Sequence, residues 1–273
     1  MLATLSGLLA ILFYALGTLL QGRSLLQAHD NGSPLPHNRR LILLCALLAL
    51  LVHLVNVSQV IATDQGYDFG FFKIATLFSW SIVLIVVSSS LRKPVDNLFL
   101  ALFPLAMISI LCSLLLPSSS PPLAAIGSGV ALHILLGILA VSITTVAAAQ
   151  ALLIAWLNRE LKRKHFSSVL RHLPPLQTME QLLFEIIWAG FFVLLGVILS
   201  GFLFMDDMFA QHLVHKTALT IVSWGVFGIL LWGRHHLGWR GRTALRWTLG
   251  GFGVLILAYF GSKFVLELLL DRV

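Results

Sequence analysis

The sequence predicts an all-α, polytopic membrane protein of eight transmembrane helices, a single integral membrane domain over residues 1–273. Three observations predict it. First, 58% of the residues are apolar and only 11% are Asp, Glu, Lys or Arg, against about 25% charged residues in an ordinary soluble protein. Second, mean hydropathy is +0.95. A soluble fold has too little polar cover for so much apolar surface, and a disordered chain needs low hydrophobicity. Third, the chain holds eight apolar runs long enough for a bilayer core about 30 Å thick, which takes about 20 residues of helix.

The runs lie near 2–22, 41–62, 70–90, 97–116, 126–157, 184–204, 216–234 and 247–269. The first is expected to stay in place rather than act as a cleaved signal, because it has no basic leading segment and no A-x-A site. The second carries polar residues at mid-span, in LLVHLVNVSQ. The third and fourth are separated by Arg92 and Lys93, and the fourth ends in an uncharged PSSSPP connection at 117–122. The fifth exceeds the bilayer thickness and must tilt or continue as helix beyond it. Before the sixth, Pro174–Pro175 break the chain, and LQTMEQLLFEIIW then reads as the start of an interfacial helix capped by Thr178 or Gln177. The seventh and eighth are joined by an Arg-rich connection.

Fourteen of the 18 basic residues fall in alternate connections: Arg23, Arg39 and Arg40; Arg92 and Lys93; Arg159 to Arg171; Arg234 to Arg246. The other connections hold Asp64, Asp68, Asp206 and Asp207, with Lys73 and Lys216 beside them. Positively charged loops stay in the cytoplasm, so both termini are expected on the outer, periplasmic side of a bacterial cytoplasmic membrane. The net charge of +7 is then a topology signal, and nucleic acid is not an expected partner.

Several chemistries are missing. Cys45 and Cys112 form no CxxC or CxxCH, so no covalent c-type haem site exists. No HExxH, G-x-S-x-G, P-loop or Gly-rich dinucleotide turn is present. These absences point to a non-catalytic role.

Ionisable groups inside a membrane mark function by default. Of the ten histidines, His29, His37, His165 and His172 fall in basic connections, and His235 and His236 flank the seventh span. His53 lies mid-span, with Asn56 and Gln59 expected on its face. It suits interhelical hydrogen bonding or a ligand role equally. His133 leads the fifth span, followed at helical spacing by Gly137, Ala140, Thr144 and Ala148. Such a face admits another helix or a flat macrocycle, and a neutral imidazole beside it suits axial haem ligation. His215, with His212 one turn earlier and Lys216 beside it, falls at the same outer level. Two histidines at one depth can hold one iron, and the lysine can pair with a propionate.

The second half of the chain resembles the cytochrome c assembly protein family, the integral membrane haem handlers that include CcsA, CcmC and the HemX-like proteins. The resemblance is carried by LHILLGILA from His133, LPPLQTMEQLLFEIIWAGF (173–191), Ser200–Gly201, HKTALTIVSWGVFGILLWGR (215–234), GWRG (238–241) and GGFGVLILAYFGSKF (250–264). It extends over roughly 65–270, with His53 and FKIATLFSW matching more loosely. It implies non-covalent haem b, His133 at an outer ligand position and His53 at the intramembrane one. His215 has no direct family counterpart. The loop FLFMDDMFAQHLVHK (202–216) holds no tryptophan, unlike the family's cytochrome-assembly branch. The expected role is haem binding or handling as an assembly or accessory factor, with the lipid bilayer and another membrane protein as partners. The alternatives are a subunit of an ion or small-molecule transporter, with Gln150 among its few deep polar groups, and a HemX-like regulator of tetrapyrrole synthesis.

Overall fold

The computed structural model describes residues 1–31, 38–116, 127–163, 174–204, 214–261 and 264, without the side chains of 25–31. Its helices are α1 (Leu2–Asn31), α2 (Arg39–Ile61), α3 (Phe71–Ser90), α4 (Phe99–Leu115), α5 (Ser128–Lys162), α6 (Leu176–Phe204), α7 (Val214–His236) and α8 (Gly241–Ile256). A π-helical turn, Leu257–Gly261, prolongs α8. Eight segments are long and apolar enough to cross a membrane, as the hydropathy pattern predicts. Several boundaries differ from the expectation. α1 runs on to Asn31 and α5 to Lys162, past the expected 22 and 157. The helix start expected after Pro174–Pro175 is the start of α6 itself, at Leu176, so Thr178 and Gln177 lie inside the helix rather than capping it, and α8 begins at Gly241 rather than near 247.

Several hydroxyl groups inside these helices are satisfied by their own helix, which suits a bilayer. Thr18 donates to the Tyr14 carbonyl, Thr144 to Ala140, Ser200 to Val197 and Thr248 to Ala244. Each bond closes within one turn, so the side chain costs the helix no exposed polar group.

The chain divides into two compact units. The first comprises Met1–Pro122 and Trp156–Pro175. In it α1 packs against α2 and α4, and α3 against α2 and α4. Arg39 clasps one end of this bundle: its Nε lies 2.9 Å from Asp96 Oδ2 and its Nη2 donates to the Ser90 carbonyl at 2.7 Å. At the other end Ala62–Thr63 and Gly66–Tyr67 form a two-residue antiparallel ladder, with Ala62 opposite Tyr67. Asp68 follows it. Its carboxylate accepts from the Gly70 amide at 2.9 Å and pairs with Lys73 Nζ at 2.6 Å.

The second unit comprises Leu123–Ala155 and Leu176–Val273. Within it α7 packs on α6 and on α8. Ser223 donates to the Gly251 carbonyl at 2.9 Å, which brings α7 and α8 close where glycine leaves room. Gln150 on α5 donates to the Met179 carbonyl on α6 at 3.1 Å.

Candidate functional site

His133 stands near the start of α5, half-buried, with Nδ1 3.0 Å from Ser200 Oγ on α6. Ser200 also donates to the Val197 carbonyl at 3.0 Å. A serine has one hydroxyl proton. With that proton on Val197, Ser200 can only accept from the imidazole. In that arrangement the His133 proton sits on Nδ1 and Nε2 carries the lone pair. A ligating histidine has this form, with the far nitrogen held by a hydrogen bond.

His215 is the second residue of α7 and is exposed, and Lys216 beside it is half-buried. His212 lies outside the described residues, as do His37, His165 and His172. His235 and His236 are exposed at the end of α7, where the His236 ring lies 5.4 Å from that of Trp232.

The small-residue face below His133 is used for helix packing. A Cβ at Gly137 would lie 2.6 Å from Tyr259 Oη, so the tyrosine of the π-turn closes that position. Further along, Thr144 meets Gly190 of α6, and Ala140, Thr144 and Ala148 are buried. Of the two uses expected for this face, another helix or a macrocycle, the helix occupies it.

His53 is fully buried in the first unit. Its Nδ1 lies 3.1 Å from Tyr14 Oη, with the two rings edge to face. Asn56, also fully buried, donates from Nδ2 to the Ala3 carbonyl at 2.8 Å. Gln59 does not share this face; it is exposed. Six residues advance a helix by about 600°, which places i+6 about 120° away from i.

The sequence matches the cytochrome C assembly protein family over residues 41–270. The chain belongs to this family. It is 28% identical to inner membrane protein YpjD of Escherichia coli K12 over 264 residues, which cover 96% of this chain and 98% of the relative. The same figures hold for YpjD of E. coli O157:H7. A second relative, the "Uncharacterized 28.8 kDa protein in nifR3-like 5'region" of Azospirillum brasilense, is 33% identical over 146 residues, covering 53% of this chain and 54% of the relative. No solved structure matches. The chain is thus a multi-pass protein of the bacterial inner membrane.

This family member carries a second structured cluster that residue-type reasoning passed over. Glu180 on α6 accepts from the Gly241 amide at 3.0 Å, holding the first residue of α8. Gly238 and Gly241 have φ of +66° and +55°, so the GWRG turn uses both glycines in the left-handed region. Trp239 folds back onto Gly233 and stacks on Trp247 at 5.3 Å. Arg234 reaches the Trp239 carbonyl at 3.3 Å and lies 4.6 Å over the Phe184 ring. The sequence signals were the glycine pair and Glu180, four residues before the aromatic Phe184.

Proposed function

We propose that the protein binds and handles haem b non-covalently at one face of the bacterial inner membrane, as an assembly or accessory factor and not as an enzyme. The observation that carries this reading is the Ser200–His133 hydrogen bond, which presents Nε2 as a lone pair beside a lipid-spanning helix end. Membership of the cytochrome C assembly family supports it. The donor chemistry fits: a neutral, oriented imidazole is an axial ligand for haem iron. Bound haem supplies a redox-active iron. The chain's own part is to hold it through His133, with His215 as second ligand and Lys216 for a propionate. Ser200 keeps the His133 tautomer. The closed face at Gly137 keeps the ring's inner side packed, so the outer side is where a ligand is taken up.

We place both termini and the His133 end of α5 on the periplasmic side, on the distribution of basic residues. A transporter reading draws less support. Gln150 is bonded to Met179, Asn56 to Ala3, and Thr144 and Thr145 to their own helix. The deciding experiment is reconstitution of the purified protein with haem b, read by its Soret and low-spin bands. Wild-type protein is expected to show both, and loss of neither band in His133→Ala would sink the assignment of this ligand.

A further inference from the structure

We propose that His53 is a hydrogen-bond donor and not an iron ligand, and that with Asn56 it forms a buried binding site for one water molecule within the first unit. Two observations carry this. His53 Nε2 and Asn56 Oδ1 are both buried and have no hydrogen-bond partner among the described residues. They belong to residues three apart on α2, which are neighbours on one helix face.

Proton counting assigns their roles. The Tyr14 hydroxyl has one proton, and His53 Nδ1 is the acceptor it meets. If Tyr14 donates to Nδ1, the imidazole proton sits on Nε2. The reverse arrangement would leave the phenolic proton unsatisfied in an apolar core, even with a water at Nε2. Tyr14 therefore donates, and Nε2–H is a donor in search of an acceptor. Asn56 Nδ2 is engaged by the Ala3 carbonyl, which fixes the amide so that Oδ1 is the remaining acceptor. One donor and one acceptor are the minimum set for a buried water.

The surroundings are closely packed, so nothing larger than a water is proposed. At Gly7, opposite Asn56, a Cβ would lie 2.8 Å from Leu114 Cδ1, 3.0 Å from Asn56 Nδ2 and 3.1 Å from Ile110 Cγ2. At Gly17 a Cβ would lie 3.0 Å from Phe103, whose ring also packs on Tyr14 with centroids 5.4 Å apart. Side chains on α1, α2 and α4 thus fill the neighbourhood closely. His53 differs in this from His133, whose tautomer is the opposite one.

The test is solid-state NMR of the full-length, 15N-histidine-labelled protein in lipid bilayers, as purified and after addition of haem b. The His53 signals are identified by difference against His53→Gln or, should that variant not accumulate, against His53→Asn; Tyr14→Phe leaves the imidazole in place. The expected result is a protonated Nε2, an unprotonated Nδ1, polarisation transfer from water to Nε2–H, and no change with haem. Tyr14→Phe is expected to release the ring into a mixture of both tautomers. An unprotonated Nε2, or a His53 signal lost on adding haem, would overturn the donor assignment. Absence of water transfer would overturn the water site, and an unmoved signal in Tyr14→Phe would overturn the role of Tyr14. None of these readings requires that the His133 site bind haem.

Discussion

Ser200 Oγ stands between the His133 imidazole and the Val197 carbonyl. The Oγ–Nδ1 separation is 3.0 Å, and the serine proton is already engaged by the Val197 carbonyl. With the serine as acceptor, Nε2 is the nitrogen left for the ligand role proposed for His133. The other membrane histidine, His53, meets a tyrosine hydroxyl instead.

From this comes a graded pair of variants. His133→Ala is expected to abolish the low-spin haem spectrum. Ser200→Ala keeps the imidazole but frees its tautomer and orientation, and loss of such an outer partner weakens metal affinity about 10–100-fold. Haem titration followed at the Soret band measures both. Equal affinity in Ser200→Ala and wild type would show that the serine does not hold the ligand.

The α6–α8 clasp gives a stability prediction. Glu180→Ala leaves the Gly241 amide without its carboxylate, and losing one partner of a charged hydrogen bond costs about 1–3 kcal/mol. Gly241→Ala forces a side chain to φ +55°, at about 1–2 kcal/mol. Both are expected to lower the thermal midpoint in detergent while leaving the haem spectrum unchanged. A normal midpoint in Glu180→Ala would mean that water replaces the carboxylate at that turn.

Much of this fold was legible in the sequence because a bilayer imposes a simple rule: backbone groups must bond within the segment. The eight apolar runs therefore became eight helices. Boundaries such as Gly241 were not legible, since that helix starts where Glu180 reaches from sixty residues upstream. The pairing of Lys73 with Asp68 was not legible either, though five residues separate them. The candidate site was legible as residue types but not as bonds. Position within a span identified His133 and His53, yet nothing in the sequence tied them to their partners: Ser200, noted only within the Ser200–Gly201 match, and Tyr14, which lie 67 and 39 residues away. The face shared by Gly137 and Thr144 was legible as small, but not what would cover it.

That cover makes a testable pair. A Cβ at residue 137 would meet Tyr259 Oη at 2.6 Å and Cε1 at 3.3 Å. Gly137→Ala must therefore push the phenol away, and overpacking of this kind costs about 1–3 kcal/mol. Tyr259→Phe removes the closer of the two contacts. The double variant is expected to be more stable than the sum of the singles predicts, as neighbours that share a contact are coupled. Additive thermal shifts would mean that Tyr259 does not seat on Gly137.

The last prediction concerns orientation, on which the outer placement of His133 depends. Fourteen of 18 basic residues occupy the alternate connections proposed as cytoplasmic. The first opposing connection has only Lys73 beside it, 2.6 Å from Asp68, against two to five Lys and Arg in each connection proposed as cytoplasmic. Reporter fusions after residues 30, 95, 168 and 240 are expected to report cytoplasm, and a fusion between Asp206 and His212 to report the periplasm. Asp68→Asn should leave this pattern intact, because orientation follows Lys and Arg and carboxylates contribute little. It should nonetheless lower the thermal midpoint, since Lys73 would then sit unneutralised at the positive end of α3. A cytoplasmic signal from the 206–212 fusion would invert the whole arrangement and put His133 and His215 on the inner face, where a haem acceptor would have to be a cytoplasmic protein.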